Sequence, residues 1–278
     1  METKTIARVA AVHDMSGYGK CSLTVALPVI SACGAEVCPV PTALLSTNTQ
    51  IKGFTFTDCT GGMAAHIAHW KKIGLHLDAV YSGFLGSAEQ IGYITDIARS
   101  FGVRFCIVDP VMGDNGKIYP TYTPELCDGM RRLVSCADVA TPNLTEACEL
   151  IGQDYACADQ SSAGIERLAR AVAALGAKNV VVTGIERGEK IFNCILEDGT
   201  YQEIYINLLP YRMHGTGDLF TSVMTGGLLT GHSLTDSVDS AARFVREAMK
   251  FSELVPDAHE RGVCFEPLLY RLRGGVCA

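Results

Sequence analysis

The sequence predicts an α/β fold: a mainly parallel sheet with helices on both faces and an antiparallel hairpin at one edge. Short apolar runs of strand length alternate with apolar or amphipathic stretches of helical length along most of the 278 residues. Glycine-bearing turns follow the early apolar runs, which is the strand–turn–helix order of a parallel α/β unit. Near residue 200, two strand-like runs are separated only by the turn residues Glu197-Asp198-Gly199, which marks a hairpin. No composition break, proline-rich linker or internal repeat divides the chain, so residues 1–278 read as one domain.

The first unit is strand Arg8 to Val12, the turn Met15-Ser16-Gly17-Tyr18-Gly19-Lys20-Cys21-Ser22, and helix Leu23 to Cys33 stopped by Gly34. The turn fits neither the GxxxxGK[ST] nor the GxGxxG pattern. Val37 to Ala43 is the second strand. Leu44 to Asp58 reads as a polar loop, and a loop this long and rich in side-chain donors covers a ligand more often than it idles. Helix Gly62 to Ile73 carries His66 and His69 three residues apart, without the further ligands a metal site needs. Strand Asp78 to Ser82 leads through Gly83-Phe84-Leu85-Gly86-Ser87 into helix Ala88 to Phe101.

Val103 to Val108 is the clearest strand and ends at Asp109-Pro110-Val111-Met112-Gly113-Asp114. An acid at the carboxyl end of a parallel strand stands where such sheets bind ligands, although Asp, Pro and Gly also make turns for backbone reasons. Helix Pro124 to Ser135 and strand Ala137 to Thr141 follow. Thr141-Pro142-Asn143-Leu144-Thr145-Glu146 is a helix start with Asn143 as N-cap and Glu146 at N3. Helix Ala163 to Leu175 and strand Val180 to Thr183 precede the hairpin, Lys190 to Leu196 with Thr200 to Leu208. Helices Phe220 to Leu229 and Leu234 to Leu254 close the regular part. The tail from Pro256 reads as irregular, with a short helix near Leu268.

Apolar residues make up 48% and charged residues 19%, enough for a large core and too few charges for a disordered chain. The net charge is −7 with no basic block, which argues against nucleic acid as a main partner but leaves nucleotides open. Twelve cysteines are scattered without a CxxC pair, several within apolar patterns where cysteine acts as a small hydrophobe. Met1 to Val12 is too polar for a signal peptide, and no apolar run is long enough to span a bilayer. A cytoplasmic, reducing setting is expected, with no membrane association.

Chemistry concentrates at Met213-His214-Gly215-Thr216-Gly217-Asp218-Leu219-Phe220. A helix starting here leaves its first amide N–H groups unpaired at the positive end of the dipole, and glycines admit an anion close to the backbone. A carboxylate would repel such an anion unless it had another task. Accepting a proton from a hydroxyl that attacks phosphorus is one. A glycine turn with an acidic first helical turn would carry the same letters, so the surrounding turns decide.

Four motifs in order, Ser82-Gly83-Phe84-Leu85-Gly86-Ser87-Ala88-Glu89-Gln90, Asp109-Pro110-Val111-Met112-Gly113-Asp114, Thr141-Pro142-Asn143-Leu144-Thr145-Glu146 and Gly215-Thr216-Gly217-Asp218, resemble the pyridoxal kinase group of the ribokinase-like superfamily. The match runs from about Ile6 to Phe251. The resemblance implies a three-layer αβα sandwich and ATP-dependent phosphorylation of the 5′-hydroxymethyl group of pyridoxal, pyridoxamine or pyridoxine. Asp218 would be the general base, with Gly215, Thr216 and Gly217 around the transferring phosphoryl group. Asp109, Asp114, Tyr119, Thr141, Asn143, Glu146 and Thr183 match positions near ATP. Glu146 and Asp109 would meet Mg²⁺, through water in part. Asp14, Ser16, Thr49 and Phe84 would face the substrate beside Asp218. A homodimer with a mobile covering loop is implied, and a monovalent cation such as K⁺ is a further candidate cofactor.

Position 14 departs from the pattern, because the group carries serine there. Asp14-Met15-Ser16-Gly17 is similar instead to the Asp-x-Ser-Gly-Gly opening of hydroxymethylpyrimidine kinases. Those relatives carry cysteine where this chain has Asp218. An acid at position 14 could pair with a substrate amine or ring nitrogen, which favours pyridoxamine; a turn cap is the plain alternative. The rival functions are a hydroxymethylpyrimidine kinase and, in a different class, a catalytically idle vitamer-binding regulatory protein.

Overall fold

The computed structural model describes residues 5–120 and 122–277. Its strands are β1 (Arg8–Ser16), β2 (Glu36–Leu45), β3 (Phe56–Asp58), β4 (Ala79–Ser82), β5 (Phe105–Val108), β6 (Gly113–Asp114), β7 (Lys117–Ile118), β8 (Val139–Ala140), β9 (Asn179–Arg187), β10 (Lys190–Glu197) and β11 (Thr200–Asn207). Its helices are α1 (Leu23–Cys33), α2 (Thr60–Lys72), α3 (Ala88–Ser100), α4 (Pro124–Val134), α5 (Leu144–Ile151), α6 (Ser162–Ala173), α7 (Thr216–Leu229), α8 (Leu234–Ser252) and α9 (Ala258–Arg261). Among the described residues, a nine-stranded sheet runs in the order β11-β10-β9-β8-β5-β4-β1-β2-β3. The strands from β9 through β2 in that order are mutually parallel, and β10–β11 and β3 close the two edges antiparallel.

Side-chain alternation along the inner strands builds two cores. Ala10, Val12, Val80, Cys106, Val108, Ala140, Val180 and Val182 face helices α2 to α6. Val9, Ala79, Tyr81, Ile107, Val139 and Val181 face α1, α7 and α8. Strands covered on both faces read as continuous apolar runs, which is why Phe105–Val108 was legible. Helix starts follow local chemistry. Thr123 caps α4 with Pro124 behind it, and Asn143 caps α5 in a full capping box with Glu146.

Three segments differ from the sequence expectation. β1 continues past Val12 to Ser16, pairing Met15 with Leu44 and Ser16 with Leu45 after an irregularity at Asp14. The expected polar loop from Leu44 contains β3, a three-residue exposed edge strand on the end of β2. The tail is more ordered than expected, with α9 and a 3-10 segment Glu266–Leu272 packed onto the α1–α7 side. His66 stacks edge-on against Trp70 at 4.5 Å between ring centroids, a packing role and not a metal site. Among the described residues there is no disulfide, and no helix is long and apolar enough to cross a membrane.

Candidate active site

The carboxyl ends of the parallel strands deliver most of the singled-out residues to one edge of the sheet. β1 brings Asp14 and Ser16, β4 leads into Phe84, and β5 ends at Asp109. β8 ends at Thr141 and runs into the α5 cap, where Asn143 bridges in parallel to Thr183 of β9. α7 begins at the same edge: the Thr221 hydroxyl lies 3.4 Å from Asp109 Oδ2 and 3.3 Å from Thr141 Oγ1.

Glu146 is buried and fixed at both carboxylate oxygens. Oε2 accepts the Asn143 N–H at 2.8 Å and Oε1 accepts the Met112 N–H at 3.1 Å. Asn143 Oδ1 accepts the Glu146 N–H at 3.0 Å, and its Nδ2 donates to the Gly113 carbonyl at 2.8 Å. The α5 cap therefore also anchors the small β6–β7 hairpin, which Thr145 Oγ1 secures from the other side through the Gly116 N–H. Burial pushes the Glu146 carboxyl up to about 8 against these amide donors. Asp109 is raised well above the carboxylate range by burial, then by Glu146 and Asp218. Two buried acids that disfavour each other's charge form a donor set that a hard divalent cation would relieve. Among the described residues no cluster of three or more His, Cys, Asp or Glu could hold a metal alone. The pair fits an ion that brings most of its own oxygen ligands, as phosphates and water do.

The two glycines before Asp218 have different reasons to be glycine. Gly215 adopts φ 83°, and a Cβ there would stand 2.1 Å from the Lys20 carbonyl oxygen. It lets the β1–α1 loop pack against the start of α7. A Cβ on Gly217 would meet nothing within 4 Å. No side chain caps this end of α7, which leaves its first amides without a side-chain partner. Asp218 is half-buried at the rim; burial pushes its carboxyl up to about 6, opposed by the Ser22 backbone N–H.

Asp14 is buried beside it. Its Oδ1 accepts the Ser22 hydroxyl at 2.5 Å, and Ser16 Oγ is 3.4 Å from Oδ2. Burial raises Asp14 to about 6, Ser22 opposes, and Asp218 adds to the rise. The neighbouring His13 is fully buried against Tyr81, and burial pushes it down to about 3, so it is neutral and unsuited as a base.

The family model described as phosphomethylpyrimidine kinase matches residues 25–262. The chain belongs to the phosphomethylpyrimidine kinase family. A Bacteroides thetaiotaomicron family protein, provisionally named a phosphomethylpyrimidine kinase and crystallised with pyridoxal, is 37% identical with a TM-score of 0.91 over 96% of both chains. Pyridoxal kinase from Lactobacillus plantarum is 30% identical with a TM-score of 0.89, covering 96% of this chain and 97% of that one. Two Bacillus subtilis relatives, a pyridoxine kinase and a hydroxymethylpyrimidine/phosphomethylpyrimidine kinase, are 28% and 29% identical. The matches span 64% and 63% of this chain, and 66% and 65% of those proteins. The chain thus belongs to a kinase family whose members are named for two different substrates.

Within this phosphomethylpyrimidine kinase fold, Asp14, Ser16, Asp109, Thr141, Asn143, Glu146, Thr183 and Gly215 to Asp218 gather at one sheet edge. Asp114 is exposed on the β6–β7 hairpin, where Asn115 Nδ2 donates to it at 2.8 Å. Tyr119 is partly exposed, and its hydroxyl is raised by burial and then by the charges of Glu146, Asp114, Asp218 and Asp109. Phe84 packs edge-on against Tyr122 at 6.0 Å, and its carbonyl accepts the Thr42 hydroxyl at 3.0 Å. Thr49 sits exposed on a turn; its neighbour Asn48 is the buried residue of that loop.

Four residues that sequence reasoning passed over take part. Thr221 lies three residues beyond Asp218, a spacing that puts both on one side of α7 and could have been read. Ser22 donates its hydroxyl to Asp14. Asn48 Nδ2 reaches the Glu260 and Arg261 carbonyls at 3.4 and 3.5 Å. The Lys20 N–H donates to the Arg261 carbonyl at 2.6 Å, and Lys20 also pairs with Glu266. The tail after Pro256 therefore clamps two loops of the site, a contact with no local sequence signal.

Proposed function

We propose that this chain is an ATP- and Mg²⁺-dependent kinase that phosphorylates the 5′-hydroxymethyl group of pyridoxal, pyridoxamine or pyridoxine. The observation that carries the reading is Asp218, half-buried beside the open space at Gly217 and the uncapped first amides of α7. Its carboxylate takes the proton from the acceptor hydroxyl as that oxygen forms a bond to the γ-phosphorus and the bond to ADP breaks. The α7 amides hold the charge on the transferring phosphoryl group. Mg²⁺, when bound, neutralises phosphate charge, and Glu146 and Asp109 are the residues that would hold it. Asp114, Tyr119, Thr141, Asn143 and Thr183 line the nucleotide side.

Asp14, Ser16, Thr49 and Phe84 form the acceptor side, where Asp14 meets the ring nitrogen or the substrate amine. A pyridoxal-containing relative at 37% identity supports this choice. The second reading, a hydroxymethylpyrimidine kinase, is favoured by the Asp14-Met15-Ser16-Gly17 string and by a relative of that name at 29% identity. An idle vitamer-binding protein is disfavoured by the intact acid at position 218. The exposed apolar side chains Met15, Leu44 and Phe56 along the β1–β2–β3 ends support a homodimer, and the absence of disulfides among the described residues agrees with a reducing compartment. Steady-state kinetics with ATP on the three vitamers and the pyrimidine test the reading. The highest kcat/KM should fall on a vitamer; preference for the pyrimidine would overturn it in favour of the rival.

A further inference from the structure

Ser22 stands beside the buried Asp14 on the acceptor side, where the half-buried Asp218 also lies. Its hydroxyl donates to Asp14 Oδ1 at 2.5 Å, and its backbone N–H opposes the rise that burial imposes on Asp218. Its own backbone is at φ 51° and ψ −128°, a conformation that favours glycine, although the residue is a buried serine at the start of α1. Serine in a glycine conformation is strained, and such strain persists where the surroundings impose it. Here the strained geometry aims the hydroxyl at Asp14 Oδ1, on the loop that packs against the start of α7. Gly215 allows the Lys20 carbonyl to approach α7 closely and so holds this loop against the helix that carries Asp218.

We propose that Ser22 is a positioning residue that fixes the acceptor-side acid Asp14 relative to Asp218, so that the ring and the hydroxyl of one substrate are held together. The proposal rests on the assignment of Asp14 and Asp218 to the acceptor side. Ser22 does not touch the reacting atoms. Its hydroxyl acts through Asp14 on acceptor binding.

The test is Ser22→Gly, alone and combined with Asp14→Ala, assayed on whichever acceptor the wild-type enzyme phosphorylates best. It does not depend on which substrate that is, so it can fail independently of the functional assignment. Glycine relaxes the backbone and keeps the amide while deleting the hydroxyl. KM for the acceptor should rise about tenfold, the size of one hydrogen bond to a charged group, with kcat and KM for ATP changed much less. In the Asp14→Ala background the same substitution should add nothing, because the partner of the hydroxyl is already gone. Thermal unfolding of Ser22→Gly should match or exceed the wild type, which separates positioning from folding. Unchanged acceptor KM in Ser22→Gly, or independent additive losses in the double variant, would overturn the proposal.

Discussion

Thr221 Oγ1 lies 3.4 Å from Asp109 Oδ2, which ties the end of β5 to the first turns of the helix that presents Asp218. The nucleotide-side acid and the proposed base are thereby held by one element. Thr221→Val keeps the shape and deletes the donor. It should raise the Mg²⁺ and ATP concentrations needed for half-maximal rate several-fold, with a smaller effect on kcat. Identical ATP and Mg²⁺ titrations for variant and wild type would show that this contact does not serve the nucleotide side.

Gly215 and Gly217 should respond differently to the same substitution. Gly215→Ala forces a side chain into the Lys20 carbonyl at a left-handed position, so it should lower stability by about 1–3 kcal/mol or more, read as a fall in Tm. Gly217→Ala meets open space, so the protein should fold with nearly unchanged Tm. Its kcat/KM for ATP should nevertheless drop by about tenfold or more, because the added methyl occupies the space beside the α7 amides. Equal Tm losses in the two variants would contradict this division.

Both Asp14 and Asp218 are raised to about 6, chiefly by burial. The base must be ionised, so kcat/KM should fall as pH drops through about 6, with apparent values belonging to the pair. For stability the sign is opposite. A folded-state pKa above the unfolded value of about 3.9 means the native state binds the proton more tightly, a contribution present at low pH and lost as pH rises through about 6. Asp14→Asn should therefore have a higher Tm than wild type at pH 8 and no advantage below about pH 4. A Tm difference that does not vary with pH would refute the buried-charge account of Asp14.

Much of this was legible because the chemistry is local. Asn143 and Glu146 form the capping box that their spacing announces, and the buried parallel strands read as apolar runs. β3 escaped because Phe56, Thr57 and Asp58 are all exposed, leaving no period to detect. The role of the tail escaped because Asn48 and Lys20 meet backbone carbonyls more than 200 residues away in the chain. Ser22 escaped because nothing in the string Cys21-Ser22-Leu23 reveals a serine in a glycine conformation. Substrate choice is the least legible part, because the residue proposed to set it, Asp14, stands at the irregularity of the β1–β2 register.

The same capping box sharpens the test of Glu146. Glutamine keeps one acceptor and turns an amide group toward a backbone N–H, a loss of about 1–3 kcal/mol in a buried site. Glu146→Gln should therefore lower Tm and raise the Mg²⁺ requirement together. A reduced Tm with an unchanged Mg²⁺ titration would leave Glu146 a cap alone.

The most direct measurement is single-turnover and steady-state phosphorylation of the preferred acceptor by Asp218→Asn, with ATP and acceptor binding followed by calorimetry. Asparagine keeps the size and shape of the side chain and cannot take the proton. Turnover should fall by about 10²–10⁴-fold with both ligands still bound at near wild-type affinity. Turnover within a few-fold of wild type would contradict Asp218 as the base and, with it, the proposed mechanism.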